Sequence, residues 1–275
     1  MKLNQYTKTM LPLTHGTIYC EYILNGKPPI ILLHGFVSST YTFNRLIPLL
    51  KENFSIIAID FPGFGRSEKS KTFIYSYDNY AELVIECMDY FKLENAVIAG
   101  HSMGGQIALY TAEKIPQRVS KLILLASSGY LKGANNLMRY TSYLPLFSLV
   151  AKHKVQKQSV SETLKNVLYD HSLITPELIE EYKRPLKEKD FYKALVRLLR
   201  YREGDLSSER LHKIQTQSLL IWGDADKVVP LCIGKKLVED LPNARIISYN
   251  KTGHLITEER PAEVNEQIIS FTRST

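Results

Sequence analysis

Gly100, Ser102 and Gly104 stand at alternate positions in the stretch Gly100-His101-Ser102-Met103-Gly104-Gly105. An apolar run (Ala96-Val97-Ile98-Ala99) precedes them and a small-residue helical pattern (Ile107, Ala108, Leu109, Ala112) follows. A serine between two glycines at a strand-to-helix switch is the arrangement of a nucleophile. The turn is so tight that the residues two positions away must lack bulky side chains, and it lifts the Ser102 Oγ out at the positive end of the following helix. A hydroxyl alone is a weak nucleophile. It needs a base, a carboxylate to orient that base, and donors for the oxyanion.

Seven histidines compete for the base. His101 sits inside the turn, where its side chain is expected to point away from the reaction face of the serine. His34 ends the strand-like run Pro29-Ile30-Ile31-Leu32-Leu33. His254 follows another strand pattern, Ala244 to Tyr249, through the loop Asn250-Lys251-Thr252-Gly253, and precedes a closing helix from Pro261 to Phe271. A histidine on that loop can swing over the sheet edge toward Ser102, and the chain order serine, acid, histidine singles out His254.

The acid comes from the turn after Ser218-Leu219-Leu220-Ile221-Trp222, which reads Gly223-Asp224-Ala225-Asp226. A side chain two or three residues into the turn reaches a neighbouring histidine better than one touching Gly223. Asp226 is therefore the expected acid and Asp224 the alternative. The end of the preceding strand, with Ser127-Ser128-Gly129-Tyr130, offers no carboxylate. For the oxyanion, main-chain amides are expected: that of Met103, after the nucleophile, and that of Phe36 in the His34-Gly35-Phe36 turn. Phe36 would also wall an acyl pocket.

Positioning these groups requires strands that end on one edge. Strand patterns at 15–24, 29–33, 55–60, 95–99 and 121–126 alternate with helical patterns near 40–51 and 76–92, which predicts a mostly parallel sheet flanked by helices. Asn25-Gly26, a hairpin-turn dipeptide, separates the first two strands. Residues 131–206 break the alternation and read as an inserted α-helical cap. That divides the chain into a first core part (1–130), the cap (131–206) and a second core part (207–275). Thr175-Pro176-Glu177 is a helix start with a capping hydroxyl and proline at the first position. From Asp190 to Glu203, Phe191, Ala194, Leu195 and Leu198 share one face, with Lys193, Arg197 and Arg200 on another. The apolar stretch through Leu137, Met138, Tyr140, Tyr143, Leu144, Leu146, Phe147, Leu149 and Val150 is expected mainly to seal cap against core, with a few residues reaching substrate.

Five segments in order carry a resemblance to the α/β-hydrolase superfamily that covers most of the chain. They are Leu32-Leu33-His34-Gly35-Phe36; Ile59-Asp60-Phe61-Pro62-Gly63-Phe64-Gly65-Arg66-Ser67; Gly100 to Gly105; Trp222-Gly223-Asp224-Ala225-Asp226 with Pro230; and Gly253-His254 with Glu258 to Pro261. Each segment alone is degenerate; the order and spacing together are specific. The resemblance implies an α/β-hydrolase fold, a Ser102–His254–Asp226 triad with the acid three residues after the glycine, and a structural role for Asp60 and Arg66. It implies acyl transfer with neither cofactor nor metal. Dehalogenases and epoxide hydrolases of similar layout need a carboxylate where Ser102 stands, so those activities are excluded. A carboxylesterase acting on small or medium acyl esters is the expected activity. A carbon–carbon bond hydrolase and a ligand receptor with slow turnover are the alternatives; the former is weakened because Phe36-Val37-Ser38-Ser39-Thr40 replaces a glycine-rich turn.

Composition is consistent with this reading. The chain has 275 residues, 44% hydrophobic and 23% charged, which suits one soluble α/β unit with a large core. No apolar run approaches the roughly 18 residues of a membrane span, so stable membrane insertion is not expected. The first residues, Met1-Lys2-Leu3-Asn4, carry no apolar signal region, and Cys20, Cys87 and Cys232 have neither metal nor redox spacing; a cytoplasmic location is expected. The formal charge is +7, and residues 131–206 hold 14 Lys/Arg against 9 Asp/Glu. Because acids are interleaved and no basic run reaches five, a solvated surface is expected there rather than an anion-binding one. No nucleic-acid motif accompanies the charge.

Overall fold

The computed structural model describes residues 5–14, 16–144, 147–156 and 159–273. Eight strands form one sheet: β1 Thr7–Leu13, β2 Gly16–Ile23, β3 Pro29–Leu33, β4 Ser55–Ile59, β5 Ala96–His101, β6 Val119–Leu125, β7 Ser218–Gly223 and β8 Ala244–Tyr249. Their order is β1-β2-β4-β3-β5-β6-β7-β8. β1 and β2 are antiparallel to their neighbours, and β4, β3, β5, β6, β7 and β8 run parallel. A parallel strand must be covered on both faces, which explains the continuous apolar runs of β3 to β7. Alternation then divides them: Ile31, Leu33, Ile57, Ile59, Ile98 and Leu124 enter the core on one face. Ile30, Leu32, Ile56, Ala58, Ala99 and Ile123 enter it on the other.

Helices α1 (Tyr77–Tyr90), α2 (Met103–Lys114) and, later in the chain, Leu231–Asp240 cover the first face. The closing helix Pro261–Arg273 covers the second with Val264, Ile268 and Phe271. Full burial of each such side chain contributes roughly 1.5–3 kcal/mol. Because β3, β5, β7 and β8 are parallel, the segments that follow them emerge at the same edge, where a doubly covered sheet leaves room for a site.

Two features differ from the sequence expectation. β1 was not foreseen; it pairs with β2 from Thr7↔Tyr22 to Leu13↔Gly16. Nor does Asn25-Gly26 close a hairpin between β2 and β3, because β4 lies between them. The Asn25 amide instead donates to the carbonyls of Lys51 (2.9 Å) and Phe54 (3.0 Å), fixing the approach to β4.

Between β6 and β7 lie the cap helices α3 (Asn136–Thr141), α4 (Phe147–Gln156), α5 (Val160–Val167), α6 (Pro176–Lys183) and α7 (Lys189–Tyr201). The two ends of the insertion meet: Lys132 bridges Gly204, and the Asp205 amide donates to the Leu131 carbonyl at 2.7 Å. The Thr175 hydroxyl caps α6 by accepting from Leu178. α7 docks the cap through buried Phe191, Tyr192, Ala194 and Leu198. The stretch around α3 and α4 does not act as the expected seal. Leu137, Met138, Tyr140, Tyr143, Leu144 and Leu149 are exposed, since α7 already supplies the apolar underside. Leu146 and the side chain of Val150 lie outside the described residues. Among the described residues no helix is long and apolar enough to cross a membrane.

Candidate active site

Ser102 connects β5 to α2 with φ 53° and ψ −118°, a left-handed conformation that costs a non-glycine residue of order 1–3 kcal/mol. The surroundings enforce it. A β-carbon at Gly100 would strike the Gly104 carbonyl, and one at Gly104 would strike the Leu33 carbonyl. The first turn of α2 is thereby pressed against the end of β3, bringing the His34-Gly35-Phe36 turn beside the serine. The Ser102 amide donates to Leu125 (3.0 Å), and its carbonyl accepts from Ser128 (3.0 Å).

His34 organises that turn. Its Nε2 accepts from the Phe61 amide (3.0 Å), so Nδ1 carries the hydrogen and donates to the Gly35 carbonyl (2.7 Å). Burial lowers its pKa to about 4, which keeps the ring neutral. With the Gly35 carbonyl held on the His34 side, the Phe36 N–H of the same trans peptide faces the opposite way. Among the described residues neither the Phe36 nor the Met103 amide has a main-chain acceptor. Phe36 also lines the cavity over Ser102 and stacks edge-on against Phe64. Asp60 is structural: its buried carboxylate takes the amides of Thr40 and Arg66, each at 2.6 Å.

Of the two candidate carboxylates, Asp226 is the one that meets a histidine. Asp226 Oδ2 lies 2.7 Å from His254 Nδ1, whereas Asp224 is exposed. Asp226 Oδ1 accepts from the amides of Val228 (2.8 Å) and Val229 (2.9 Å), and the Val229 carbonyl accepts from Trp222 Nε1 (2.9 Å). A buried tryptophan thus closes the loop that aims the carboxylate. The His254 Nδ1–H donates to Asp226, leaving Nε2 as the free acceptor on the ring, the tautomer a general base requires.

The main chain of His254 is held from three sides. Its N–H donates to the Val167 carbonyl of α5 at 2.7 Å. Its carbonyl accepts from His101 Nε2 at 2.9 Å. Glu259 takes the Gly253 amide (2.7 Å) and, from the cap, those of Tyr169 (2.9 Å) and Asp170 (3.0 Å). Sequence reading missed Glu259 in this role, because its two partners in the cap lie 90 and 89 residues away. It also misplaced His101. The left-handed Ser102 breaks strand alternation, so His101 and Ser102 both reach the upper edge, and the His101 ring packs 4.8 Å from that of His254. Burial, reinforced by His254, pushes His101 down to about 3, so it stays neutral.

A cavity of about 410 Å³ opens over Ser102 and His254. Its walls are Val160, Thr163, Leu164 and Val167 of α5, Tyr182, Leu186, Leu195 and Val228. Among the described residues, none that lines it is Lys, Arg, Asp or Glu. Nor, among them, do three or more His, Cys, Asp or Glu gather to hold a metal ion. A hydroxyl and an imidazole lining an apolar cavity, a buried carboxylate behind the imidazole, and two amides with no main-chain acceptor among the described residues can carry out nucleophilic substitution at a carbonyl.

Residues 28–261 match the family model of the alpha/beta hydrolase fold. The chain is 46% identical over 255 residues to the uncharacterized hydrolase YugF of Bacillus subtilis (strain 168), covering 92% of this chain and 93% of that one. It is 30% identical over 259 residues to a 2-hydroxy-6-oxononadienedioate/2-hydroxy-6-oxononatrienedioate hydrolase of Comamonas testosteroni, with 88% and 86% covered. Among solved structures, a meta-cleavage product hydrolase from Pseudomonas fluorescens IP01 superposes with a TM-score of 0.80 at 24% identity, over 96% of this chain and 97% of that one. The chain belongs to the α/β-hydrolase fold family and is a hydrolase.

Proposed function

We propose that the protein is a serine esterase acting on neutral carboxylic esters of small or medium apolar acyl groups. His254 Nε2 takes the proton of Ser102 as Oγ bonds to the ester carbonyl carbon. The oxyanion lies between the amides of Phe36 and Met103, and Asp226 stabilises the imidazolium. Collapse expels the alkoxide, which takes the proton from His254 and leaves as alcohol. Water, deprotonated by the same ring, then attacks the acyl-enzyme and releases the acid.

The observation that carries the choice of substrate is the absence of charged side chains among the described residues lining the cavity. The dioate hydrolase named above acts on a molecule with two carboxylates. Seating such a dianion here would bury anionic charge with no guanidinium or ammonium opposite, at a cost of several kcal/mol. A neutral ester incurs no such cost. The free thiols of Cys20, Cys87 and Cys232 fit a reducing compartment, which supports a cytoplasmic location.

The test is hydrolysis of p-nitrophenyl esters of increasing acyl length, alongside a 2-hydroxy-6-oxodienoate whose absorbance reports carbon–carbon cleavage. Turnover of the esters that peaks at one chain length is expected. Cleavage of the dienoate with no ester turnover would assign the protein to the other reaction.

A further inference from the structure

The net positive charge of the cap comes from one half of it. From Leu131 to Ser161 there are five Lys/Arg and no Asp/Glu, whereas Glu162 to Leu206 holds nine of each. The acids that looked interleaved in residues 131–206 all fall in the second half. The acid-free half is also where large apolar side chains face water. Leu137 is 73% exposed and Tyr140 74%, and Tyr143, Leu144 and Leu149 each expose more than half of their surface.

Beside these helices opens a second cleft of about 410 Å³, between Lys69–Lys71 of the core, the turn Ser142–Leu144 and one side of α7. Among the described residues it is lined by five cations (Lys69, Lys71, Lys193, Arg197, Arg200) and one carboxylate, Asp190. Lys69 pairs with Glu188 (2.9 Å) and Lys193 with Asp190 (2.7 Å). Arg197 donates to the Phe73 carbonyl at 2.8 Å, while its buried Nε has no hydrogen-bond partner among the described residues. Arg200 donates twice to Ser142 and lies 3.7 Å from the centre of the Tyr143 ring. The exposed apolar turn and the basic cleft are thereby one continuous surface. α7 separates it from the cavity over Ser102: Leu195 lines that cavity, whereas Lys193, Arg197 and Arg200 line the cleft.

We propose that this face of the cap docks on the surface of an anionic phospholipid bilayer. Lipid phosphates occupy the basic cleft, and Leu137, Tyr140 and Leu144 enter the headgroup boundary. Tyrosines and leucines beside cations suit that boundary, where the apolar part is buried and the charge stays with the headgroups. Each basic side chain held near such a surface strengthens binding about five-fold. A second copy of the chain is a poor occupant, because a two-fold contact would lay this acid-free segment against itself. The docking is peripheral and is independent of which bond Ser102 attacks.

The experiment is co-sedimentation of the full chain with vesicles of phosphatidylcholine alone and of phosphatidylcholine mixed with phosphatidylglycerol, at about 0.05 M and about 0.5 M NaCl. Binding to the mixed vesicles only, weakened by salt, is expected. The exposed pair K71E/K193E should lower affinity about 25-fold or more, and L137S/Y140S about ten-fold or more. Ester turnover and melting temperature of both variants should stay unchanged, which establishes folding. Equal binding to neutral vesicles, or binding indifferent to both variants, overturns the proposal. So does self-association abolished by L137S/Y140S in a protein that binds no vesicle. Inorganic phosphate that stabilises the protein through Lys71 and Lys193, without vesicle binding, would reassign the cleft to a free anion and equally overturn it.

Discussion

The two halves of the cap are held in opposite ways. The second half is sewn to the core: Leu164, Leu168 and Leu178 bury themselves with Leu255, next to the candidate base, and Val167 and Glu259 join the two main chains. Arg66 and Glu181 add an ion pair between core and cap at 3.3 Å. In the first half, α3 contributes no buried residue and is tied sideways, through Arg139 to the Arg200 carbonyl at 3.1 Å. One insertion therefore contains a part that shapes the cavity and positions His254, and a part whose side chains are free to meet something else.

The largest effect expected from breaking this contrast lies at the site itself. S102A should lower ester turnover about a million-fold with an unchanged melting temperature, and turnover persisting in it would remove the serine from the mechanism. Next comes the seam. E259A leaves three amides without their acceptor and should cost about 3 kcal/mol of stability. Its kcat should fall together with stability in urea titrations; a loss of stability alone would mean that the seam does not position His254.

The third prediction concerns pH. Burial raises the Glu258 carboxyl from 4.5 to about 7, and the group lies near Tyr182 of the sewn half. An unfolded chain releases this proton at lower pH than the folded protein does, so stability declines as pH rises from 4.5 to about 7. E258Q should flatten that decline and be the more stable protein at about pH 8, by ~2 kcal/mol. Parallel urea midpoint curves for the two proteins would refute this. The smallest effect is expected in the other half: R139A should change stability by less than about 0.5 kcal/mol and leave turnover intact. A larger loss would show that α3 supports the cavity after all.

What the sequence makes legible here is local. Gly100, Ser102 and Gly104 announce a tight elbow because the steric demand acts within five residues, and Asp226 and His254 are readable as the turns after apolar strands. The Asp224 alternative needed three dimensions, since only the side chain that turns inward beneath Val228 and Val229 meets the histidine. β1 escaped notice because the residue types of Thr7-Lys8-Thr9-Met10-Leu11-Pro12-Leu13 carry no apolar–polar alternation, although every second side chain of the folded edge strand is exposed. Asn25-Gly26 misled because a turn dipeptide specifies a reversal, not which strand fills the slot beside it. His101, Glu259 and the basic cleft all depend on partners distant in the chain, and periodicity carries no information about those.

The seam has a consequence for how such a protein diversifies. Because the His254 amide needs the Val167 carbonyl, and Glu259 needs the amides of Tyr169 and Asp170, the lid is not an interchangeable module. A graft taken from another hydrolase would have to reproduce that one acceptor and those two donors, or it would deliver a new pocket above a misaligned base. The segment from Asn136 to Thr141 carries no such obligation, and it is the place where sequence can drift, lengthen or acquire new surface chemistry without the catalytic edge being disturbed.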